Sequence, residues 1–243
     1  MNSLPSVQVI ERVEGKDGEL VLRRRGREYE FIFNGVFLMA SYNGASEKEM
    51  VSSALNNYLA NLPSGDDGGA SGVSGLRVLM GGLGMGLGLR EALNFPGVAR
   101  VDLFELEETV VRWNRGPLVH LNGGALDDAR VNVIIGDIAA SIRGEGATPA
   151  GDLRQYHAII LDTDNGPGWL SRPENEFLYS MEGTRQLKRL LHSGGCLSVW
   201  SSMPVQSYIS LLKSLFADVR TRQLQERTGQ SSFYYLAVKR DST

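Results

Sequence analysis

The apolar run HAIILD ends in Asp162, and the chain continues Thr163-Asp164-Asn165-Gly166-Pro167-Gly168-Trp169, which sets two carboxylates and an amide close together. A protonated amine has no lone pair with which to attack an electrophile. A carboxylate beside it can hold the cation, align it and accept its proton as attack proceeds. Asp162 is the first candidate for that role, with Asp164 and Asn165 as substrate contacts. Trp169 is the ring that could close such a pocket against water. The same residues also suit plain turns, since Asp and Asn start turns and Asn-Gly and Gly-Pro are turn pairs, and Trp169 would serve equally well packed on a sheet.

A second cluster lies upstream, where the run RVLM is followed by Gly81-Gly82-Leu83-Gly84-Met85-Gly86-Leu87-Gly88 and then by helix-forming LREAL. Gly82, Gly84 and Gly86 at a strand-to-helix turn let backbone approach a ligand closely. Their spacing differs from the dinucleotide fingerprint G-x-G-x-x-G, and a structural tight turn has the same composition. About 20 residues on, VDLFEL presents Glu105, an acid placed to accept hydrogen bonds from ribose hydroxyls, with Leu106 as an apolar surface for a base. A third strand end, VNVIIGD, brings Asp137 and Ile138 to the same edge. Asp137 is also a natural helix N-cap. Taken in order, these strand ends describe a nucleoside site outside the carboxyl ends of a parallel sheet.

The elements needed to hold that site are legible in the texture of the chain. From Val7 to Ser41, β-prone runs alternate with Gly15 to Gly18, Gly26 and Asn34-Gly35, a pattern of hairpins. Ser46-Glu47-Lys48-Glu49 has capping-box spacing and opens a helix whose stripe is Met50, Val51, Ala54, Leu55, Tyr58 and Leu59. Pro63 to Gly75, rich in Gly, Ser and Asp, is expected to be a mobile linker. Beyond it apolar runs alternate with helical segments, ending in a paired DVRTRQL and FYYLAVK. The predicted architecture is therefore α/β: a small β-hairpin domain over 1–62, a linker over 63–75, and a Rossmann-like nucleoside-binding domain over 76–243. Its sheet is expected to be doubly wound and mostly parallel, with an antiparallel strand at the C-terminal edge.

Composition removes several alternatives. With 42% hydrophobic and 22% charged residues the chain of 243 residues is an ordinary globular one. A net charge of −3 offers no argument for nucleic acid or an anionic membrane. Arg23, Arg24, Arg25 and Arg27 are the local exception, read as a solvated strand and turn, with a nucleic-acid or acidic-ligand contact as the alternative. Cys196 is the only cysteine, and His120, His157 and His192 are scattered, so neither a disulfide framework nor a metal site is expected. The N-terminal stretch lacks signal-peptide character, and no apolar run reaches about 18 residues, which predicts a cytoplasmic protein.

At this point the chain resembles the spermidine synthase family, the polyamine aminopropyltransferases. The resemblance rests on FNGVFLMAS, SEKEM, VLMGGLGMGLGLREAL, FELEE, RVNVIIGD and LDTDNGP, and spans nearly the whole sequence. It implies a small N-terminal β domain joined to the fold of S-adenosylmethionine-dependent methyltransferases. It also implies transfer of an aminopropyl group from decarboxylated S-adenosylmethionine to an amine, ribose binding by Glu105, adenine contact by Asp137 and Ile138, and a catalytic carboxylate at Asp162. A homodimer is the expected assembly.

Several positions depart from the family pattern. Met85 stands where the glycine turn normally carries an acid that recognises the cofactor's terminal amine. Glu47-Lys48 replaces a Tyr-Gln pair of the polyamine pocket, Leu38 replaces a Gln, and Asn165 occupies the place of a second acid, with Asp164 beside it. Three readings follow: an aminopropyltransferase, a methyltransferase using intact S-adenosylmethionine, and a nucleoside-binding or interaction protein without turnover. No metal is expected in any of them.

Overall fold

The computed structural model describes residues 6–62, 74–145 and 155–240, so the stretch expected to be a mobile linker lies almost wholly outside the described residues. Strands β1 (Val7–Glu14), β2 (Glu19–Arg25), β3 (Glu28–Phe33) and β4 (Val36–Ala40) form an antiparallel sheet in sequential order. At the β3–β4 turn Asn34 and Gly35 both have positive φ, the geometry that matches a two-residue hairpin to strand twist. The arginine run of β2 is occupied within this sheet. Arg23 and Arg25 pair with Glu30, and Arg24 bonds Gln8.

Helix α1 (Ala45–Ala60) follows. Its stripe is buried as expected, but the capping box does not form. The N-cap is Gly44, without a side-chain bond, and Ser46 lies inside the first turn. Tertiary partners take the serine instead: its N–H donates to Glu226 and its Oγ accepts from the Trp200 indole. Although sequence order groups α1 with the hairpins, it packs on the large sheet, against its central strands.

That sheet contains β5 (Leu76–Gly81), β6 (Val98–Glu105), β7 (Val131–Ile135), β8 (Tyr156–Leu161), β9 (Leu191–Ser201), β10 (Asp218–Gln225) and β11 (Ser231–Val238) in the order β10-β11-β9-β8-β5-β6-β7. From β9 to β7 all pairings are parallel, and β11 runs antiparallel to both neighbours. The antiparallel strand is thus internal rather than at the edge. Burial explains the order: the apolar β11 is covered on both faces, whereas β10, DVRTRQLQ, carries the polar side chains that an open edge needs. Helices α2 (Leu87–Leu93), α3 (Glu108–Arg115), α4 (Val119–Asn122), α5 (Ile138–Arg143), α6 (Glu176–Tyr179), α7 (Met181–Leu190) and α8 (Gln206–Leu215) complete the crossovers. Two apolar clusters, one on each side of the sheet, form the core. No helix among the described residues is long and apolar enough to cross a membrane.

Several polar ties fasten the hairpin sheet over the sheet's carboxyl edge, among them Lys16 N donating to Glu107 at 2.8 Å and Arg227 pairing with Glu28 at 3.5 Å. Arg112 of α3 grips Glu11 of β1 with both terminal nitrogens at 2.8 and 2.9 Å, and the Trp113 indole donates to the same carboxylate. Arg172 reaches Asp17 at 2.5 Å in the β1–β2 turn and Asp137 at 3.1 Å.

Candidate functional site

Strand register places the candidate residues at one level. Gly81 pairs with Phe104 on one side and Leu161 on the other, and Glu105 pairs with Ile135, so Gly82, Glu105, Gly136 and Asp162 leave the sheet together. β5, between its two neighbours β6 and β8, is the point where successive connections turn to opposite sides, and a crevice opens there. Its walls include Gly82, Gly84, Glu105, Leu106, Asp137, Ile138 and Asp162, with Phe104, Val110, Thr163, Ser171, Arg172 and Asn175. The hairpin sheet supplies the lid: Asp17, Leu20, Phe31, Phe33, Leu38 and Met39. The cleft encloses about 930 Å³ of space, its open mouth included.

The glycine turn is built for close approach. Gly82 has φ +94°, and a Cβ there would overlap the Asp162 carbonyl oxygen. Gly84, at φ +52°, would press a Cβ against Met39 Cε at 2.9 Å. Gly86 serves packing instead, turned toward Asn114 and Asn122 beneath the turn. Met85 is only 1% exposed and belongs to the core, so its side chain does not line the cleft. The physical reason is simple: a thioether gains by burial, and the left-handed glycines on either side let the chain turn it inward.

Glu105 is buried and holds the walls together. One carboxylate oxygen accepts the Leu83 N–H at 3.0 Å and the other the Glu107 N–H at 2.9 Å. Burial raises its pKa, opposed by those backbone donors. Asp137 does cap a helix, accepting from Ala139 N and Ala140 N at the start of α5, while its second oxygen meets Arg172. The cap and the Arg172 contact coexist, because the cap uses one oxygen.

At the other end of the cleft the Asp162 carboxylate accepts no hydrogen bond from any described residue. Burial, reinforced by the charge of Asp164, pushes its pKa up to about 7. Asp164 itself is committed to the loop, accepting from Ser171 N and Oγ and from the Tyr179 hydroxyl. Asn165 gives its carbonyl to Ser202, and neither it nor Asp164 lines the cleft. Trp169 is 54% exposed and also stands outside the lining.

Sequence reasoning missed several contributors. Arg172 and Asp17 lie in turns whose composition carries no signal. Glu47 appeared only within the capping-box spacing and as half of a departure from a family pair, yet it is buried while Lys48 is exposed. An acid on the stripe that continues through Met50 and Ala54 was the available clue.

Comparison with known proteins is consistent with this geometry. A family model, the spermine/spermidine synthase domain, matches residues 52–226. A polyamine aminopropyltransferase of Mycobacterium tuberculosis is 36% identical over 128 residues, 52% of this chain and 23% of that protein. Another from Sulfolobus acidocaldarius is 29% identical over 148 residues, 58% of this chain and 46% of that protein. The matched stretches thus span less than half of these curated relatives. Among solved structures, a spermidine synthase in complex with the transition state analogue AdoDATO superposes with a TM-score of 0.73 at 19% identity, over 96% of this chain and 74% of that one. The spermidine synthase of Thermotoga maritima gives 0.71 at 18% identity, over 96% and 73%. These structural likenesses extend the shared fold to the hairpin sheet.

Proposed function

The chain belongs to the spermine/spermidine synthase family, and from that premise we propose that it transfers an aminopropyl group from decarboxylated S-adenosylmethionine to an amine acceptor. The observation that carries this reading is Asp162: a carboxylate without a hydrogen-bond donor, at the reacting end of a nucleoside-shaped cleft, whose pKa of about 7 suits a base working near neutrality. The lining fits the nucleoside half. Glu105 retains acceptor capacity beyond its two backbone donors, and Leu106, Phe104 and Ile138 offer an apolar bed for a base.

When bound, the sulfonium group supplies an electrophilic carbon. The chain's own residues do the rest. Glu105 accepts the ribose hydroxyls, Asp137 and Ile138 flank the base, and Asp162 receives the proton that the acceptor ammonium must lose before its nitrogen can attack. Asp164 holds the loop through Ser171 and Tyr179 and keeps Asp162 basic by its charge. Methyl transfer from intact S-adenosylmethionine drew its support from the lack of an acid at Met85, but Asp162 and Asp164 supply carboxylates at the reacting end. A carboxylate-rich reacting end also opposes the extra negative charge of the intact cofactor.

A mass assay of products from each cofactor with a panel of diamines tests the reading. Addition of an aminopropyl group supports it; a methylated product, or no product with either cofactor, overturns it. We further propose a homodimer, supported by the exposed apolar side chains of Val7 and Val9 on one edge of the hairpin sheet and Val36 and Phe37 on the other. Light scattering of the purified chain reads the mass directly.

A further inference from the structure

Tyr58, His157 and His192 are remote from one another in the sequence, and folding gathers them at the amino edge of the large sheet, opposite the cleft. Tyr156 pairs with Leu191 and Ala158 with Cys196, so His157 of β8 faces residues 192–195 of β9, a bulge that turns the His192 side chain back over it. The two imidazoles stack, with ring centroids 5.2 Å apart and planes 20° from parallel. Tyr58, in the last turn of α1, meets both rings edge-on, at 4.8 and 6.2 Å. Lys239, just past β11, pins the bulge: its carbonyl accepts the Gly194 N–H and its N–H donates to the Gly195 carbonyl.

Hydrogen bonds fix where the protons sit. His157 Nδ1 accepts the Arg77 N–H at 2.9 Å, so that nitrogen is bare and the neutral ring carries its proton on Nε2. His192 Nδ1 lies 2.8 Å from the Ser193 carbonyl oxygen, which only accepts, so His192 carries a proton there. The two rings therefore meet acid differently. A cationic His192 would keep its bond, whereas a proton added to His157 Nδ1 would set two donors face to face and break the bond to Arg77. Both rings are half-buried, and the charges beside them are also positive: Arg77 of β5, whose guanidinium is 3.8 Å from Asp102, and Lys239, whose ammonium donates to the Leu191 carbonyl. From α1 the rings face the Tyr58 phenol, kept neutral by burial. Burial, and then the charge of His192, already hold the His157 ring below the ordinary histidine value. The pair is not a metal site, because while Arg77 holds Nδ1 and the proton occupies Nε2, His157 has no lone pair to give.

We propose that the His157–His192 stack is an acid-operated fastener, tying the last turn of α1 to the start of β5 near neutral pH and releasing both on acidification. Above the ordinary value of 6.5 the ring of His157 is neutral whether fastened or free, and the fastener holds. Below it the freed ring binds a proton that the fastened ring excludes, so the fastened form loses ground as pH falls, until the fastened ring is protonated too. Helix α1 and strand β5 follow one another in the chain on either side of residues 63–73, so a single event frees both.

Amide exchange of the whole chain, resolved by residue and corrected for the intrinsic pH dependence of exchange, tests the fastener between about pH 7.5 and about pH 5. In the wild type, protection at the Arg77 N–H and in the last turn of α1 should fall by roughly tenfold to thirtyfold, the effect of one excluded proton over that range, while β6 and β7 keep theirs. His157→Asn sets an amide oxygen near the place of Nδ1, keeps an acceptor for Arg77 and does not titrate, so its protection there should stay level. Nitrogen NMR shifts of the wild-type imidazoles report the tautomers and should show Nε2–H on His157 and Nδ1–H on His192 at neutral pH. Level protection in the wild type, an equal acid loss in His157→Asn, or a proton on His157 Nδ1 at neutral pH overturns the fastener. So does a loss that spreads equally over β6 and β7, which is acid unfolding of the whole sheet. If His157→Asn does not fold, wild-type exchange and the tautomers decide.

Discussion

Glu105 is buried and Asp162 half-buried, and both acids have raised pKa values, yet their surroundings give them different duties. Glu105 is held by two backbone donors and positions the walls; Asp162 has none and is left to titrate. Replacement Glu105→Ala should weaken methylthioadenosine binding by about 1.5 to 3 kcal/mol, or about one to two decades, in a protein that still folds. Unchanged affinity by calorimetry would remove Glu105 from the site. Asp162 has a folded value of about 7 against an ordinary 3.8. Below the lower value folded and unfolded chains both keep the proton. Between the two only the unfolded chain releases it, so stability is lost as pH rises through that window and the loss is complete above about 7. Asp162→Asn should flatten part of that decline in thermal melts, with Glu47 leaving a residue of the same sign, since its pKa is raised too. Turnover of the wild type should rise through about pH 7 as the base ionises. Melting curves of wild type and Asp162→Asn with the same pH slope would show that Asp162 is not the titrating group.

At the scale of elements, the turn between β5 and α2 is the part least able to change. Gly82 meets two constraints, a left-handed φ and the Asp162 carbonyl where a side chain would begin. Gly144, the C-cap of α5, shares the left-handed φ at +85° but has open space around it. Comparing the two separates conformational strain from collision. Gly144→Ala should cost on the order of 1 kcal/mol, whereas Gly82→Ala should cost roughly 3 kcal/mol or more and lower nucleoside affinity as β5 and β8 are forced apart. Chemical denaturation reads both, and equal losses would mean that the turn relaxes around an added methyl. Much of this level was legible beforehand. Apolar runs and turn residues marked the hairpins, the sheet strands and most helices, because alternation and helical spacing are local properties of the chain. The failed capping box at Ser46 and the internal position of β11 were not legible, since each depends on a partner remote in sequence: Glu226 and Trp200 for the serine, the edge-forming β10 for the strand.

For the whole molecule, the cleft is closed by a small sheet held over the edge of a large one. Arg172 links the two by reaching Asp17 in the lid and Asp137 in the floor while lining the cleft itself. Arg172→Ala should speed amide exchange in the β1–β2 turn and weaken nucleoside binding several-fold, while the large sheet keeps its protection. Exchange rates in that turn unchanged by the substitution would show that the other ties, Glu11 with Arg112 and Trp113 and Lys16 N with Glu107, hold the lid without Arg172. The sequence by itself determined the fold class, the order of elements and the strand ends that carry Gly82, Glu105, Asp137 and Asp162, because each of these is written in neighbouring residues. Only the tertiary structure decided that Met85 turns into the core, that Glu47 turns inward beside the glycine turn, and that Arg172 bridges lid and floor. Charge alone does not say whether a side chain meets solvent or the interior; that is settled by which distant elements pack against it, and here the packing of α1 on the large sheet, with Glu226 behind it, buries Glu47 near two other acids.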